Sequence, residues 1–289
     1  MVGFGSIGEA VLPLLFQHFR MHPGQVKIIS ADENGRDVAG AWNLAITPHD
    51  LTEENYLSLL EPSLNRGDFL LNLSVDVSSL ALIALCRRRG VLYLDTCIEP
   101  WPGGYTDISL SPSLRSNYAL REKALSLGRH NGEWPTALLA HGANPGLVSA
   151  FVKQALLDIA ADTGVGITRP AASNDWAKLA CHLGIRAIHV AERDTQVSSR
   201  CKQQNEFVNT WSVDGFVGES LQPSELGWGS HERHWPEDGV RHEFGCNAAI
   251  YLNRPGAATR VRSWVPSSGP FHGFLITHGE SISIANYLT

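Results

Sequence analysis

Cysteine, positive charge and long apolar runs are all scarce in this chain, and each shortage excludes something. Its five cysteines, Cys86, Cys97, Cys181, Cys201 and Cys246, form no Cys-x-x-Cys pair and no regular spacing, so they read as reduced cytosolic thiols rather than a disulfide framework. Lys and Arg total 23 against 29 Asp and Glu, a net charge of −6, and no basic run exceeds Arg87-Arg88-Arg89. The counterion release that drives nucleic-acid binding therefore has no source, and small cations suit the chain better as ligands than anionic polymers do. No stretch approaches the ~20 consecutive apolar residues of a membrane span, and no basic stretch precedes an apolar run at the N-terminus. Neither a membrane nor export is indicated, and the cytoplasm is the expected compartment. Gly-x-Ser-x-Gly, Walker and Ser-x-x-Lys motifs are missing, which leaves covalent hydrolase and nucleotide-triphosphate chemistry unsupported. Charged residues make up 18%, below the usual ~25%, which hints at a covered face or a missing partner segment.

The 43% of apolar residues in 289 is enough for a buried core, and at about 150 residues per domain two domains are expected. The first eight residues, Met-Val-Gly3-Phe-Gly5-Ser6-Ile7-Gly8, read as a strand end and a glycine turn, with apolar residues at helical spacing following from Glu9 to Phe19. A β-branched run, Val26–Ala31, then ends at Asp32. Helix-like stretches at 53–60 and 78–89 alternate with apolar runs at 68–73, 91–95 and 138–140, and an amphipathic helix follows from Leu147 to Ile159. Strands alternating with helices predict an α/β fold, a Rossmann-type doubly wound parallel sheet. The second half holds five of the eight tryptophans, Trp176, Trp211, Trp228, Trp235 and Trp264. It reads as a second α/β substrate domain on a mixed sheet. The expected boundary is the Asn-Pro-Gly turn, giving a dinucleotide-binding domain at 1–145 and a substrate domain at 146–289. A central first strand usually has five or six residues, yet only Met1 and Val2 precede the loop, and Ser281–Thr289 stops without a polar tail. The chain therefore reads as incomplete at both ends.

In a dinucleotide site the first glycine makes the turn, the second lets backbone approach the pyrophosphate, and the third lets helix and strand pack. Gly3, Gly5, Ser6, Ile7 and Gly8 fit that loop. Asp32 is placed to accept the ribose hydroxyls and to repel a 2′-phosphate, which favours NAD over NADP. Ligands of open α/β sheets bind outside the carboxyl ends of strands, nominating Leu73, Ser74 and Asp76, Thr96, Cys97 and Glu99, and the turn His141–Gly146 with Asn144. Bland alternatives exist: a helix cap for Asp76 and Asn144, a buried small residue for Cys97. Further on, Glu192, Trp211, Asp214, Glu219 and His278 stand where apolar runs meet an acid, a His or a Trp. A carboxylate near an indole face suits an alkylammonium, although core tryptophans with surface acids look the same in sequence. His231, His234, His242 and Cys246 match no zinc signature closely, and the three histidines read as solvated or loop residues. No metal is expected.

The strings GFGSIG (3–8), DTCIEPW (95–101), HGANPG (141–146), NTWSVDGFVGE (209–219), LQPSELGWG (221–229) and ITHGE (276–280) closely resemble bacterial homospermidine synthases, relatives of saccharopine dehydrogenase. The resemblance runs through the whole chain. It implies a transferase that joins two putrescine molecules into homospermidine with loss of ammonia, or uses spermidine as aminobutyl donor, with NAD required but not consumed. It also implies that members are longer and form a homodimer. By the same resemblance Asn144, Trp211, Glu219 and His278 are the expected catalytic residues, and Glu99, Glu192 and Asp214 the expected substrate-binding ones. His278 would move protons, since imidazole titrates near neutral pH. Trp211 would stabilise a cationic iminium, Asn144 would bridge amine and nicotinamide, and Glu99 would sit at the entrance. A net saccharopine-type dehydrogenase needs cations to clamp substrate carboxylates, and Arg193 is the one cation beside these acids. An inactive dinucleotide-binding remnant is the remaining alternative.

Overall fold

The computed structural model describes residues 1–128, 133–192 and 195–289. The chain packs as two compact units: Met1–Gly104 with Lys123–Ala140 and Gln196–Gly218, and Tyr105–Glu122 with His141–Thr195 and Glu219–Thr289. In place of one crossing at residue 145, the chain passes between the units after residues 104, 122, 140, 195 and 218. Trp211 and Asp214, which lie in the second half by sequence, pack in the first unit.

The first unit contains strands β1 (Ile28–Ser30), β2 (Ile46–Pro48), β3 (Phe69–Asn72), β4 (Leu92–Asp95) and β5 (Ala137–Leu138). β1 pairs with β2, β3 with β4, and β4 with β5, all parallel. Val2 bridges Ile29 on one side and Asn72 on the other, again parallel. The spatial order is therefore β2, β1, Val2, β3, β4, β5, with the reversal of winding at the first residues of the chain, as a Rossmann-type sheet requires. At this central position the backbone bonds both neighbours: Val2 donates to Leu71 and accepts from Leu73, while Gly3 donates to Ile29. The helix Ser6–His18 follows the glycine loop and buries Leu12 against Phe4 and Ile28. The helix Ser79–Arg89 starts where the Ser78 hydroxyl accepts from Ala81 and stops at Gly90, φ 72°. It buries Leu82, Ile83, Leu85 and Cys86 with Leu70, Val91 and Tyr93. That spacing is one face of a helix.

The second unit is built on β6 (Pro223–Gly227), β7 (Gly239–Arg241) and β8 (Ala249–Pro255) in the order β6-β8-β7, with a separate hairpin of β9 (Arg260–Val265) and β10 (Gly269–Phe274). Where the sequence predicts a mixed sheet, these strand pairs are all antiparallel. The helices Val148–Asp162 and Ser173–His182 bury Leu156, Ala160, Trp176 and Leu179 against Tyr287 and Leu288 of the helix Gly279–Leu288. That last helix lies directly on β6: a Cβ at Gly227 would strike the Ser281 carbonyl. His278 is the residue before that helix.

Candidate active site

Each glycine of the first loop has its own steric environment. Gly3 has φ 82°, and a Cβ there would come within 2.6 Å of the Ser74 nitrogen. Gly8 packs on the Gly3 carbonyl and the Phe4 ring, 3.0 and 3.1 Å from where a Cβ would stand. Around Gly5 nothing lies within 4 Å of that position. Gly5 is also the N-cap of the helix Ser6–His18 and offers no side-chain acceptor to its first amides. Open space in front of unclaimed helix N–H groups is what a pyrophosphate needs, so these residues fit a dinucleotide. Beyond β1, both carboxyl oxygens of Asp32 accept from Asn34, from the amide at 2.9 Å and the side chain at 2.7 Å. Arg36 pairs with Glu33.

At the carboxyl ends of β3 and β4 the expected residues gather around buried polar groups. The Ser74 hydroxyl donates to Asn72 at 2.5 Å, and Asn72 donates to the Tyr93 hydroxyl at 3.2 Å. Tyr93 in turn donates to Asp95 at 2.9 Å, and Asp95 accepts from the Ala140 amide at 2.5 Å. Burial drives the Asp95 carboxyl up to about 6 against the pull of these bonds. Thr96 and Cys97 are half-buried at the same end. Glu99 is 7% exposed, so it does not sit at an open entrance as expected. Its backbone carbonyl instead accepts from the Ser79 amide, and its amide donates to the Ser79 hydroxyl. Asp76 does not cap the following helix, because Ser78 does. Its acidity is weakened by partial burial and by the charges of Asp214 and Asp50, which identifies an acidic patch.

Trp211 is half-buried just before the helix Val213–Leu221, and its ring meets Phe216 edge-on at 6.3 Å. It belongs to no apolar core cluster among the described residues. A Cβ on Gly215 would stand 2.7 Å from the indole Cζ3, so the missing side chain at 215 makes room for the ring.

In the second unit Asn144, Glu192, Glu219 and His278 form one connected chain. Asn144 does not cap the helix Val148–Asp162, whose N-cap is Leu147. It rides on a closed turn in which Gly142 donates to Pro145 at 2.8 Å and Gly146 has φ 128°. The Asn144 amide donates to Glu192, and its oxygen accepts from His278 Nδ1 at 2.8 Å. His278 Nε2 donates to Glu219 at 3.0 Å, and a carboxyl oxygen of Glu280 lies 3.4 Å from Nδ1. Burial alone would make the imidazole harder to protonate, but the bonds and charges of Glu219 and Glu280 outweigh it and hold the ring at about 10. The expected titration near neutral pH is thereby corrected: two carboxyl groups keep His278 an imidazolium. Glu280, 5% exposed, has one carboxyl oxygen buried with no hydrogen-bond partner among the described residues. It closes the ITHGE string at 276–280 but is not among the expected site residues.

Arg193 lies outside the described residues. His242 is a correction to the solvated-histidine reading. It is buried and stacked on Tyr118 with ring centroids 3.9 Å apart, and burial lowers its proton affinity until it protonates only near 4. Among the described residues no group of three or more His, Cys, Asp or Glu is arranged to hold a metal.

Residues 1–138 match the family model described as saccharopine dehydrogenase NADP binding domain, and residues 142–289 match that of the saccharopine dehydrogenase C-terminal domain. The chain is 50% identical over 292 residues to a homospermidine synthase of Blastochloris viridis and 46% identical over 294 residues to one of Mesorhizobium japonicum. Each alignment covers 100% of this chain and 61% of the relative. A homospermidine synthase from Legionella pneumophila, crystallised in complex with NAD, is similar in structure with a TM-score of 0.86 and 48% identity, over 100% of this chain and 60% of that one. The chain thus spans about three fifths of the length of these relatives. With both halves matched and the parallel sheet, glycine loop and antiparallel second unit in place, the chain belongs to the saccharopine dehydrogenase family.

Proposed function

We propose that this chain carries the catalytic part of a homospermidine synthase, transferring an aminobutyl group from putrescine or spermidine to putrescine. The observation that carries the reading is a charge count. Glu219 and Glu280 face one imidazolium, His278, and Glu192 lies beyond Asn144, leaving about two negative charges for an incoming molecule. A diamine carries two positive ones near neutral pH, since alkylamines titrate near ~10.4. The free, buried oxygen of Glu280 is an acceptor waiting for an N–H donor, because leaving it unpaired costs about 1–3 kcal/mol.

Gly3, Gly5, Ser6, Ile7 and Gly8, with Asp32, Leu73, Ser74, Thr96, Cys97 and Asn144, are the residues we assign to NAD. When bound, NAD supplies a hydride acceptor that becomes the donor for the final reduction. The family description names NADP, but an acid at the end of β1, Asp32, would repel a 2′-phosphate, and Arg36 is engaged by Glu33. In the chain's own part of the chemistry, Glu192 and Glu219 hold substrate ammonium groups in the second unit, and Asp214 and Glu99 are the acids assigned to substrate in the first. A dication entering beside His278 adds positive charge and favours release of the ring proton. The ring proton goes to solvent, and the neutral imidazole can then take the proton that the substrate ammonium must lose before its carbon gives up hydride, and return it to the nitrogen that departs as ammonia. Trp211 offers its ring face to the cationic carbon, worth ~2 kcal/mol when water is excluded. The same reading carries a homodimer and a cytoplasmic setting, tested by sedimentation and fractionation of the native protein.

The test is incubation of the purified protein with putrescine and a catalytic amount of NAD. Homospermidine and ammonia should form together in excess over NAD. NADH rising in step with product would instead mark a net dehydrogenase and overturn the transferase.

A further inference from the structure

Behind the imidazole lies a set of buried polar groups that the proposed chemistry does not use. Thr277, 1% exposed, immediately precedes His278. Its hydroxyl accepts from the Glu225 amide at 3.2 Å and donates to the Pro223 carbonyl at 3.1 Å. Its own carbonyl accepts from the Asn117 side chain at 3.1 Å. Asn117 is itself held, because its amide donates to one Glu225 carboxyl oxygen at 2.9 Å while Tyr118 donates to the other at 3.0 Å. On the far side of His278, its carbonyl accepts from the Ser281 hydroxyl at 2.9 Å.

His278 has extended backbone angles, φ −131° and ψ 148°, and a helix begins at the next residue. Nothing in its own conformation ties the ring to one direction, yet the ring must meet Asn144 on one edge and Glu219 on the other. Such bonds weaken steeply when the angle departs from linear. The restraint has to come from the backbone on either side, and hydrogen bonds to the residues flanking a reacting group commonly supply it.

We propose that Thr277, clamped between Pro223, Glu225 and Asn117, is a positioning residue that aims the His278 ring at Asn144 and Glu219. The inference rests on reading His278 as the group that handles the proton of the amine substrate. Its first consequence is nevertheless visible without any substrate, because the charged groups facing the ring are Glu219 and Glu280, with Glu192 behind Asn144, and their hold depends on its aim.

The experiment follows the His278 ring signals of the full-length protein by NMR as pH rises, in the wild type and in Thr277→Val, Thr277→Ser and Thr259→Val. Thr259 is equally buried and hydrogen-bonded to Ser224 and Pro255, so its replacement controls for general loss of packing. Thr277→Val should move the titration midpoint of His278 down by about one pH unit or more, and Thr277→Ser should leave it within a few tenths. Thr259→Val should leave it unchanged. Should Thr277→Val fail to fold, Asn117→Ala removes the clamp from the carbonyl side and should lower the midpoint in the same direction. An unmoved midpoint, or an equal shift in Thr259→Val, overturns the proposal. If the midpoint shifts while putrescine is not converted, the positioning role stands and the assigned reaction falls. Turnover of putrescine with an unmoved midpoint leaves the reaction standing and removes the positioning role.

Discussion

His278 Nε2 lies 3.0 Å from Glu219 Oε2, and that pair sets the charge of the whole cluster in the second unit. The folded imidazole holds its proton to about 10, and the ordinary value is 6.5. A group that binds its proton more tightly when folded stabilises the fold below its unfolded value and loses that contribution as pH rises through the folded one. Between pH 6.5 and 10 the stability of the wild type should therefore fall relative to His278→Gln, read as the difference between two denaturant titrations. Glu219→Gln removes one carboxylate and should lower the His278 midpoint, leaving Glu280 to hold the remainder. A constant difference across that range would show the ring to be neutral in the folded chain.

The glycine loop separates stability from binding. Gly3→Ala places a methyl group 2.6 Å from the Ser74 nitrogen at φ 82°, where both the clash and the left-handed backbone are unfavourable. A loss of roughly 2 kcal/mol or more is expected from strain of this kind. Gly5→Ala meets nothing within 4 Å, so the melting temperature should hardly change, while the methyl fills the space reserved for the pyrophosphate. NAD should then raise the melting temperature of the wild type but not of Gly5→Ala. A Gly5→Ala protein that still responds to NAD would remove the loop from the cofactor site.

Much of the first unit was legible because its signals are local. Continuous apolar runs mark buried parallel strands, so β3 and β4 fall within a residue or so of the expected stretches, and the Ser78 cap and Gly90 stop delimit the helix between them. The three-residue β2, ending in Pro48, and the short helix Arg36–Ala41 carry too few residues for a period to register. The passage of 196–218 into the first unit was invisible for a different reason: it depends on long-range packing that no window of sequence contains. Asn144, Glu192, Glu219 and His278 can each be picked out singly. What sequence could not show is that two carboxyl groups converge on one ring and reverse its expected charge state, since those acids arrive from separate segments of chain.

Trp211 and Gly215 should behave as one element. Under the proposed function, Trp211→Phe keeps an aromatic face of weaker quadrupole and should retain part of the activity with putrescine, whereas Trp211→Ala should retain almost none. Gly215→Ala leaves the indole in the sequence but puts a methyl 2.7 Å from its Cζ3, forcing the ring to turn. Its kcat/KM should fall toward that of Trp211→Ala, while melting temperature changes far less than activity. Equal activity in the Phe and Ala variants would take the ring out of the mechanism.

Asp95 gives a pH dependence of the same sign as that of His278, in a lower window. Its carboxyl is fully buried, and burial lifts it from 3.8 to about 6 although Tyr93 and Ala140 both donate to it. Here the folded chain takes up the proton more readily than the unfolded one, so the charged form costs stability above about pH 6 and the cost is relieved as pH falls toward 3.8. Asp95→Asn removes the titration but keeps an oxygen for the Ala140 amide and turns its amide group toward the Tyr93 oxygen. The wild type should therefore gain on Asp95→Asn by up to about 3 kcal/mol between pH 8 and pH 4, measured by urea unfolding. Asp95→Ala, which strands the Ala140 amide and opens a cavity, should be weaker than both at every pH. If the wild type and Asp95→Asn keep a constant difference down to pH 4, the folded carboxyl stays charged as readily as the unfolded one and burial does not raise it.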